Sequence, residues 1–361
     1  MGVVSNHTSI DKRGRHLIQV LKDSAVFVHT IFAPEHGFKG DLANGEIVKS
    51  DKKQRIISLY GKHKKPKRSD LKQLDVILYD IQDVGCRFYT YISTLGYVME
   101  ACAETGTDLI VLDRPTIFRG DRVEGTVIKP AFYSFVGMFP IPVVYGLTIG
   151  EFALATKGEK WMKSMDRLNL TVIELLNWDR KKYYQTKRFL PPSPNIPDPE
   201  TAHLYASLCY LEGTNVSEGR GTEAPFKQFG APWLKPKQLI RYLKPYSQVL
   251  SFKEVQFTPK AIPGKAYKPK FENRVCKGIR ISLKDEEAFL SQQFAVDLLR
   301  GLKKLHPKAF KVDRKTHFER LMGDSYLSTH LHREDYVNLY KLKIQKDESM
   351  FQAVREKYLL Y

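Results

Sequence analysis

The first half of the chain alternates short apolar runs with helical patterns, and this alternation limits its fold more than any other feature. Apolar residues recur at three- and four-residue spacing from Phe88 to Cys102, and Gly106 follows as a C-terminal cap, which predicts a helix. Strands are predicted for five β-rich runs: residues 2–5, 25–32, 56–60, 76–79 and 109–112. Strands that alternate with helices are typical of a parallel sheet, so we expect an α/β fold with a Rossmann-like sheet.

The α/β pattern continues past residue 150 and then stops. Thr148 and Glu151 have the spacing of a capping box, and residues 168–176 alternate like a further strand. Residues 190–197 contain four prolines, which exclude a regular helix or a central strand.

From about residue 233 the pattern becomes mixed, with a predicted strand at 278–283 and a predicted helix at 286–304. A chain of 361 residues exceeds the size at which single cores usually stop growing. We therefore expect a Rossmann-like catalytic domain at residues 1–232. A smaller α+β domain at residues 233–361 would complete the cleft.

The composition favours an anionic partner and excludes several classes of protein. The formal charge is +18, but the densest basic run, residues 62–68, lacks interleaved aromatic residues and any nucleic-acid motif. We interpret it as an exposed loop and expect no nucleic-acid partner. No apolar stretch is long enough to span a membrane, and residues 1–4 show no signal-peptide pattern.

Absent motifs narrow the chemistry further. The chain has no G-x-G-x-x-G after its first strand, no P-loop, no H-E-x-x-H and no G-x-S-x-G. We therefore expect neither a cofactor nor a metal. The four cysteines form no C-x-x-C pair, so we expect buried free thiols: Cys86, Cys102, Cys209 and Cys276.

Polar side chains follow four of the five predicted strands. In a parallel sheet, ligands bind beyond the carboxyl ends of the strands, so these side chains should converge on one edge. They are Asn6 after the first strand, Glu35 and His36 after the second, Asp80, Gln82 and Asp83 after the fourth, and Asp113 and Arg114 after the fifth. Neighbouring buried carboxylates shift each other's pKa values and can divide into acid and base roles.

Glu35 is the leading catalytic candidate among them. It follows a run typical of a buried central strand, and Pro34 and Gly37 favour a tight turn that aims its side chain outward. His36 is a candidate hydrogen-bonding partner. The alternative for Asp80 and Asp113 is that they cap loops or pair with arginines.

Several segments together resemble the NamZ-type exo-β-N-acetylmuramidases of glycoside hydrolase family 171. The segments are NHTS (6–9), FAPEHGF (32–38), SLYG (58–61), DIQDVG (80–85), RFYTY (87–91), VLDRP (111–115), PSPN (192–195) and EGTNVSEGRGT (212–222). They run in order across two thirds of the chain. The resemblance implies a Rossmann-like N-terminal domain, a smaller C-terminal domain and release of N-acetylmuramic acid from the non-reducing end of peptidoglycan fragments.

The resemblance also implies roles for particular residues. The family's proposed catalytic glutamate corresponds to Glu35. A glycosidase generally needs a second group, for which the candidates are Asp80, Asp83, Asp113 and Glu218, unless the N-acetyl group of the sugar takes that role.

The lactyl carboxylate of muramic acid calls for a planar cation, so Arg87, Arg114 and Arg220 are candidates to bind it. The glycines on both sides of Arg220 would let a substrate approach closely, although Arg220 could instead tie down its loop through Glu218. Tyr89 is a candidate to stack on a sugar. The complete set of predicted substrate-binding residues is Asn6, Gln82, Arg87, Tyr89, Asp113, Arg114, Asn195, Glu218 and Arg220.

Two other functions are compatible with the same residues. One is a hydrolase of another acidic sugar, and the other is a non-catalytic protein that binds the cell wall. The expected substrate implies a bacterial, periplasmic or extracellular location, and the sequence does not specify an oligomeric state.

Overall fold

The computed structural model describes residues 1–40, 55–183 and 189–361. Six of the described strands form a parallel sheet in the order β3-β2-β1-β4-β5-β6. Their bounds are β1 Gly2–Ser5, β2 Thr30–Ala33, β3 Ile56–Ser58, β4 Val76–Asp80, β5 Asp108–Leu112 and β6 Leu170–Ile173. The predicted α/β class with a Rossmann-like sheet is confirmed.

Helices connect these strands and continue through the C-terminal part of the chain. The described helices are α1 Leu17–Asp23, α2 Arg68–Leu71, α3 Tyr91–Thr105, α4 Ile149–Gly158, α5 Pro199–Leu208, α6 Pro236–Tyr242, α7 Ser291–Leu305, α8 Lys315–Met322, α9 Tyr326–His330 and α10 Glu334–Arg355. Helix α3 ends at Gly106, which is left-handed (φ 74°), and the predicted capping box of Thr148 and Glu151 begins α4. Both predictions from sequence are confirmed.

Strand β2 is shorter and later than predicted. Residues 25–29 connect α1 to the sheet, beginning with the left-handed Ala25 (φ 58°), and Phe27 is 77% exposed. The apolar run in this stretch has the sequence pattern of a buried strand, but only Thr30–Ala33 pairs with β1 and β3.

A second sheet lies in the C-terminal part of the chain. It is antiparallel, with the order β7-β9-β8, and its strands are β7 Gln228–Ala231, β8 Leu250–Phe257 and β9 Cys276–Leu283. Thus a smaller part with an antiparallel sheet and helices follows the parallel sheet, as predicted. The domain boundary at residue 233 stays a prediction; β7 lies before it and pairs with β9.

One apolar core runs through both parts, and α5 packs against α7 within it. The four cysteines are free and buried, as predicted. Residues 62–67 of the basic segment form a loop, and Arg68 begins α2. Lys65 in this loop pairs with Glu100 and Glu104 of α3. Among the helices described, none is long and apolar enough to cross a membrane.

Candidate active site

A cleft of about 270 Å³ lies where the carboxyl ends of β2 and β3 meet the start of α3 and the C-terminal part of the chain. Its charged and imidazole side chains are Glu35, His36, Glu212, Arg220, Arg314 and His317. Its aromatic side chains are Tyr60, Phe88, Tyr89, Phe135, Tyr205 and Phe226. Acidic, basic and aromatic groups therefore share one enclosed space.

Glu35 is held in this cleft by hydroxyl groups. The side chain is 6% exposed, and its Oε2 accepts a hydrogen bond of 2.6 Å from Thr90 Oγ1. The Tyr60 hydroxyl also hydrogen-bonds to Glu35, and burial together with the charge of Glu35 raises the pKa of Tyr60. Two hydroxyl donors, those of Thr90 and Tyr60, therefore hold the Glu35 carboxyl in a defined position.

The chain around Glu35 forms the tight turn that the sequence indicates. The Gly37 amide donates to the Pro34 carbonyl at 3.0 Å, and both His36 (φ 69°) and Gly37 (φ 78°) are left-handed. A left-handed backbone at a non-glycine residue is uncommon and costs about 1 kcal/mol or more, so the surrounding structure must hold this turn. The turn places Glu35 and His36 together on the cleft wall.

A second acidic group, Glu212, lies in the same cleft between Arg220 and His317. Its Oε1 accepts from Arg220 Nη2 at 2.9 Å, and its Oε2 lies 3.4 Å from His317 Nε2. Burial alone would raise the pKa of Glu212, but Arg220 and His317 outweigh it and lower this pKa to about 2. Glu212 is therefore ionised at any physiological pH.

Arg220 is fixed on several sides. Besides Glu212 it faces Glu218 at 3.7 Å, and its guanidinium stacks over the Phe226 ring at 4.9 Å. Gly219 and Gly221 beside it are left-handed, and a Cβ on Gly221 would lie 2.5 Å from the Lys260 carbonyl oxygen. These glycines allow the loop to pack on neighbouring backbone, which differs from the substrate approach expected from the sequence.

Four further predicted residues lie in or beside the cleft. His36, Tyr89 and Asn195 line it together with Glu35, and the Asn195 amide donates to the Lys265 carbonyl at 2.7 Å. Glu218 lines an adjoining groove of about 180 Å³ and pairs with Lys270 at 3.2 Å. The cleft and this groove share Glu212, Arg220 and Arg314.

The polar residues after β4 and β5 are absent from the described lining of the cleft and hold loops instead. Arg114 Nε donates to Asp80 Oδ1 at 2.7 Å, and Gln82 donates to the carbonyls of Asp83 and Pro115. Asp113 accepts from Thr148 Oγ1, the Gly150 amide and the Tyr361 hydroxyl, so it anchors the start of α4. These contacts agree with the alternative interpretation of Asp80 and Asp113 from the sequence, in which they cap loops or pair with arginines.

Asp83, Arg87 and Asn6 also lie outside the described cleft lining. Burial raises the pKa of Asp83 to about 6, although Tyr145 and the Gly85 amide donate to it. Arg87 is 0% exposed and donates to the carbonyls of Thr126, Ile141 and Leu321, which leaves its guanidinium unavailable to a ligand.

Asn6 acts on the cleft indirectly, through its hydrogen bond to Tyr91. Its amide donates to the Tyr91 hydroxyl at 3.1 Å, and that hydroxyl donates to the Pro192 carbonyl. It therefore positions the wall of the cleft.

Sequence reasoning missed several functional side chains that the structure brings to the cleft, among them Tyr60, Thr90, Glu212, Arg314 and His317. Tyr60 and Glu212 fall inside the segments SLYG and EGTNVSEGRGT, so their signal was present but not used. Arg314 and His317 lie at the start of α8, in a region where no motif drew attention. Among the residues described, no group of three metal-ligating side chains could hold a metal ion.

Two carboxylates lie in a ligand-sized cleft at the carboxyl edge of a parallel α/β sheet. Paired acidic groups in such a cleft are typical of glycosidases, so the fold and the site together indicate this class of enzyme. Family models identify the particular family. The N-terminal model of exo-β-N-acetylmuramidase NamZ matches residues 1–200, and the C-terminal model matches residues 203–361. The chain belongs to the NamZ exo-β-N-acetylmuramidase family.

Individual relatives agree with this assignment. The chain is 35% identical to the peptidoglycan β-N-acetylmuramidase NamZ of Bacillus subtilis, over 100% of the chain and 86% of that protein. Two crystal structures of DUF1343 family proteins from Bacteroides fragilis are similar over 100% of the chain and 93% of each structure. Their TM-scores are 0.88 and 0.79, at 30% and 32% identity.

Proposed function

We propose that this chain is an exo-acting glycoside hydrolase that releases N-acetylmuramic acid from the non-reducing end of peptidoglycan fragments. The observation that carries the proposal is the shared cleft of Glu35 and Glu212 in a member of the NamZ family. The relative from Bacillus subtilis is named for this activity.

Glu35 acts as the proton donor. Because Glu212 is ionised at physiological pH, it has no proton to give, and Glu35 is the other carboxyl of the described cleft lining. Glu35 protonates the glycosidic oxygen as the bond from that oxygen to the anomeric carbon breaks. Thr90 and Tyr60 hold its carboxyl in the required position.

Glu212 balances the positive charge that develops on the sugar ring. A fixed carboxylate lowers the energy of an oxocarbenium-like transition state more in a buried cleft than in water. Arg220 and His317 keep this carboxylate ionised and in place before the substrate arrives. Water then attacks the anomeric carbon and gives a proton to the Glu35 carboxylate, which restores the acid for the next turnover.

The size of the cleft favours action on a terminal sugar. About 270 Å³ lies just below the usual range for small-ligand sites, so the cleft suits one substituted sugar. The adjoining groove of about 180 Å³ continues from it and provides space for the leaving part of the fragment. We also propose a periplasmic or extracellular location, because peptidoglycan lies there.

The test is release of free N-acetylmuramic acid from the disaccharide of N-acetylmuramic acid and N-acetylglucosamine. Wild type and Glu35→Gln are compared by mass spectrometry without added metal. We expect release by wild type and a loss of at least about 100-fold in kcat for Glu35→Gln, because the amide keeps the shape but loses the proton.

Glu104→Gln is the matched control, since Glu104 lies at the far end of α3 and pairs with Lys65. This variant should keep wild-type turnover. Release by Glu35→Gln at the wild-type rate would contradict the role of Glu35. A folded wild type that binds peptidoglycan without releasing sugar would favour a wall-binding protein, and turnover of a different acidic sugar would favour the other hydrolase.

A further inference from the structure

The cleft has too few free cations for an anionic sugar unless Arg314 is counted. Its described lining contains two carboxylates, Glu35 and Glu212, and two guanidinium groups, Arg220 and Arg314. The charge of Arg220 is balanced by Glu212, so without Arg314 the described lining offers no guanidinium with an uncommitted charge for a carboxylate. An anionic substrate therefore needs the charge of Arg314.

The three arginines favoured by the sequence have their charge committed elsewhere. Arg114 pairs with Asp80, and Arg87 is buried against backbone carbonyls. Arg220 makes two hydrogen bonds to Glu212 and stacks on Phe226. Breaking that pair would leave the buried Glu212 without its guanidinium partner, which is destabilising, so Arg220 remains with Glu212.

Arg314 differs from these three arginines, because its backbone is fixed but the charge of its side chain is not committed. Its backbone is fixed, since its amide donates to the Gly213 carbonyl at 3.1 Å and its carbonyl accepts from the Phe318 amide at 2.9 Å. Its guanidinium makes no hydrogen bond or ion pair with any residue that the structure describes. The side chain is exposed and lines both the cleft and the adjoining groove.

We propose that Arg314 forms the subsite for the lactyl carboxylate of N-acetylmuramic acid and thereby selects this sugar over N-acetylglucosamine. This inference rests on the proposed function and names the residue that determines its specificity. A guanidinium binds a carboxylate through two parallel hydrogen bonds, and a fixed backbone lowers the entropy lost on binding. Lys265 and Lys268 in the groove add positive potential beside it.

The test compares binding of two free sugars by titration calorimetry, which does not depend on turnover. Wild type should bind N-acetylmuramic acid about 10- to 100-fold more tightly than N-acetylglucosamine, the gain expected from a charge-assisted bidentate pair. Arg314→Met should remove this preference, and Arg314→Lys should restore only part of it because a lysine is a point charge.

Arg320→Met is the matched control, because Arg320 is an exposed arginine of the same helix and is absent from the described cleft lining. It should keep the wild-type preference. Equal binding of the two sugars by wild type, or an unchanged preference in Arg314→Met, would overturn the inference. Neither result bears on sugar release from the disaccharide, so failure of the proposed function is seen separately.

Discussion

Glu35 and Glu212 differ in the partners that hold them. Hydroxyl groups of Thr90 and Tyr60 hold Glu35, whereas the Arg220 guanidinium and the His317 imidazole hold Glu212. The hydroxyl donors fix the position of the Glu35 carboxyl, whereas Arg220 and His317 lower the pKa of Glu212. Two carboxylates with different surroundings can therefore perform different tasks in one cleft.

Replacing Glu212 by Gln should lower kcat more than it raises KM. The amide fills the same space but removes the negative charge opposite the developing positive charge, and we expect kcat to fall about 100-fold. Steady-state kinetics on the disaccharide of N-acetylmuramic acid and N-acetylglucosamine measures both parameters. A kcat within about threefold of wild type would show that the N-acetyl group of the sugar supplies the second function without help from Glu212.

The sequence predicted Glu35 and missed Glu212 for a physical reason. Glu35 follows a buried strand and a turn with Pro34 and Gly37, which are local signals. Glu212 lies in a short 3-10 helix, Cys209–Gly213, directly after α5, and it reaches the cleft because this helix packs against α8. Such tertiary placement leaves no local pattern.

At the scale of elements, the loop of residues 212–222 depends on the backbone freedom of Gly221. This residue has φ +78°, and the Lys260 amide donates to its carbonyl at 2.9 Å. The contact secures the loop that carries both Glu212 and Arg220.

Substitution of Gly221 by Ala should therefore impair both stability and catalysis. A left-handed alanine costs about 1–2 kcal/mol, and its Cβ would also lie 2.5 Å from the Lys260 carbonyl oxygen. We expect a total loss of about 2–4 kcal/mol in the free energy of unfolding, and a lower kcat/KM because Arg220 shifts. Urea denaturation and disaccharide kinetics measure the two effects.

Gly106→Ala provides the comparison for this loop variant. Gly106 is left-handed as well (φ +74°), but its added Cβ would meet nothing within 4 Å among the described residues. It should cost about 1 kcal/mol and leave kcat/KM unchanged. Equal losses of stability in the two variants would show that the packing of Gly221 on Lys260 contributes little.

Strand β2 shows that the presence of a strand is easier to predict from sequence than its bounds. The chain from 25 to 33 is apolar nearly throughout, yet only Thr30–Ala33 joins the sheet. Exposed Val26 and Phe27 belong to the connection after α1, and an apolar run carries no mark of where pairing begins. Register depends on neighbouring strands, which are distant in sequence.

At the scale of the whole molecule, the two parts matched by the family models are joined by buried polar contacts. Arg87 of the first part donates to the Leu321 carbonyl of the second, and Ser291 Oγ donates to Glu124 Oε2 at 2.6 Å. The C-terminal Tyr361 returns to Asp113 beside β5. The sequence predicted the structural class of both parts correctly. It did not predict the contacts between them, because residues so far apart in sequence leave no local pattern.

Glu348 of α10 belongs to this interface between the two parts and makes the stability of the whole molecule depend on pH. Its Oε1 accepts from the Gly125 amide at 2.7 Å. Burial raises the pKa of Glu348 from 4.5 to about 7, and the charges of Glu124 and Asp347 add to this effect. Because the folded state holds the proton more tightly, the free energy of unfolding should decrease as the pH rises from about 4.5 to 7, and this contribution should then level off.

Glu348→Gln should remove that contribution while its amide oxygen still accepts from Gly125. We expect the variant to match wild type near pH 4.5 and to exceed it by about 1–2 kcal/mol at pH 8, after allowance for partial exposure. Urea denaturation of both proteins from pH 4.5 to 8.5 gives this difference directly, since other titrating groups cancel. Because the carboxyl bridges the two parts, the gain should appear in one shared unfolding transition; a pH-independent difference between the proteins would contradict a raised pKa at Glu348.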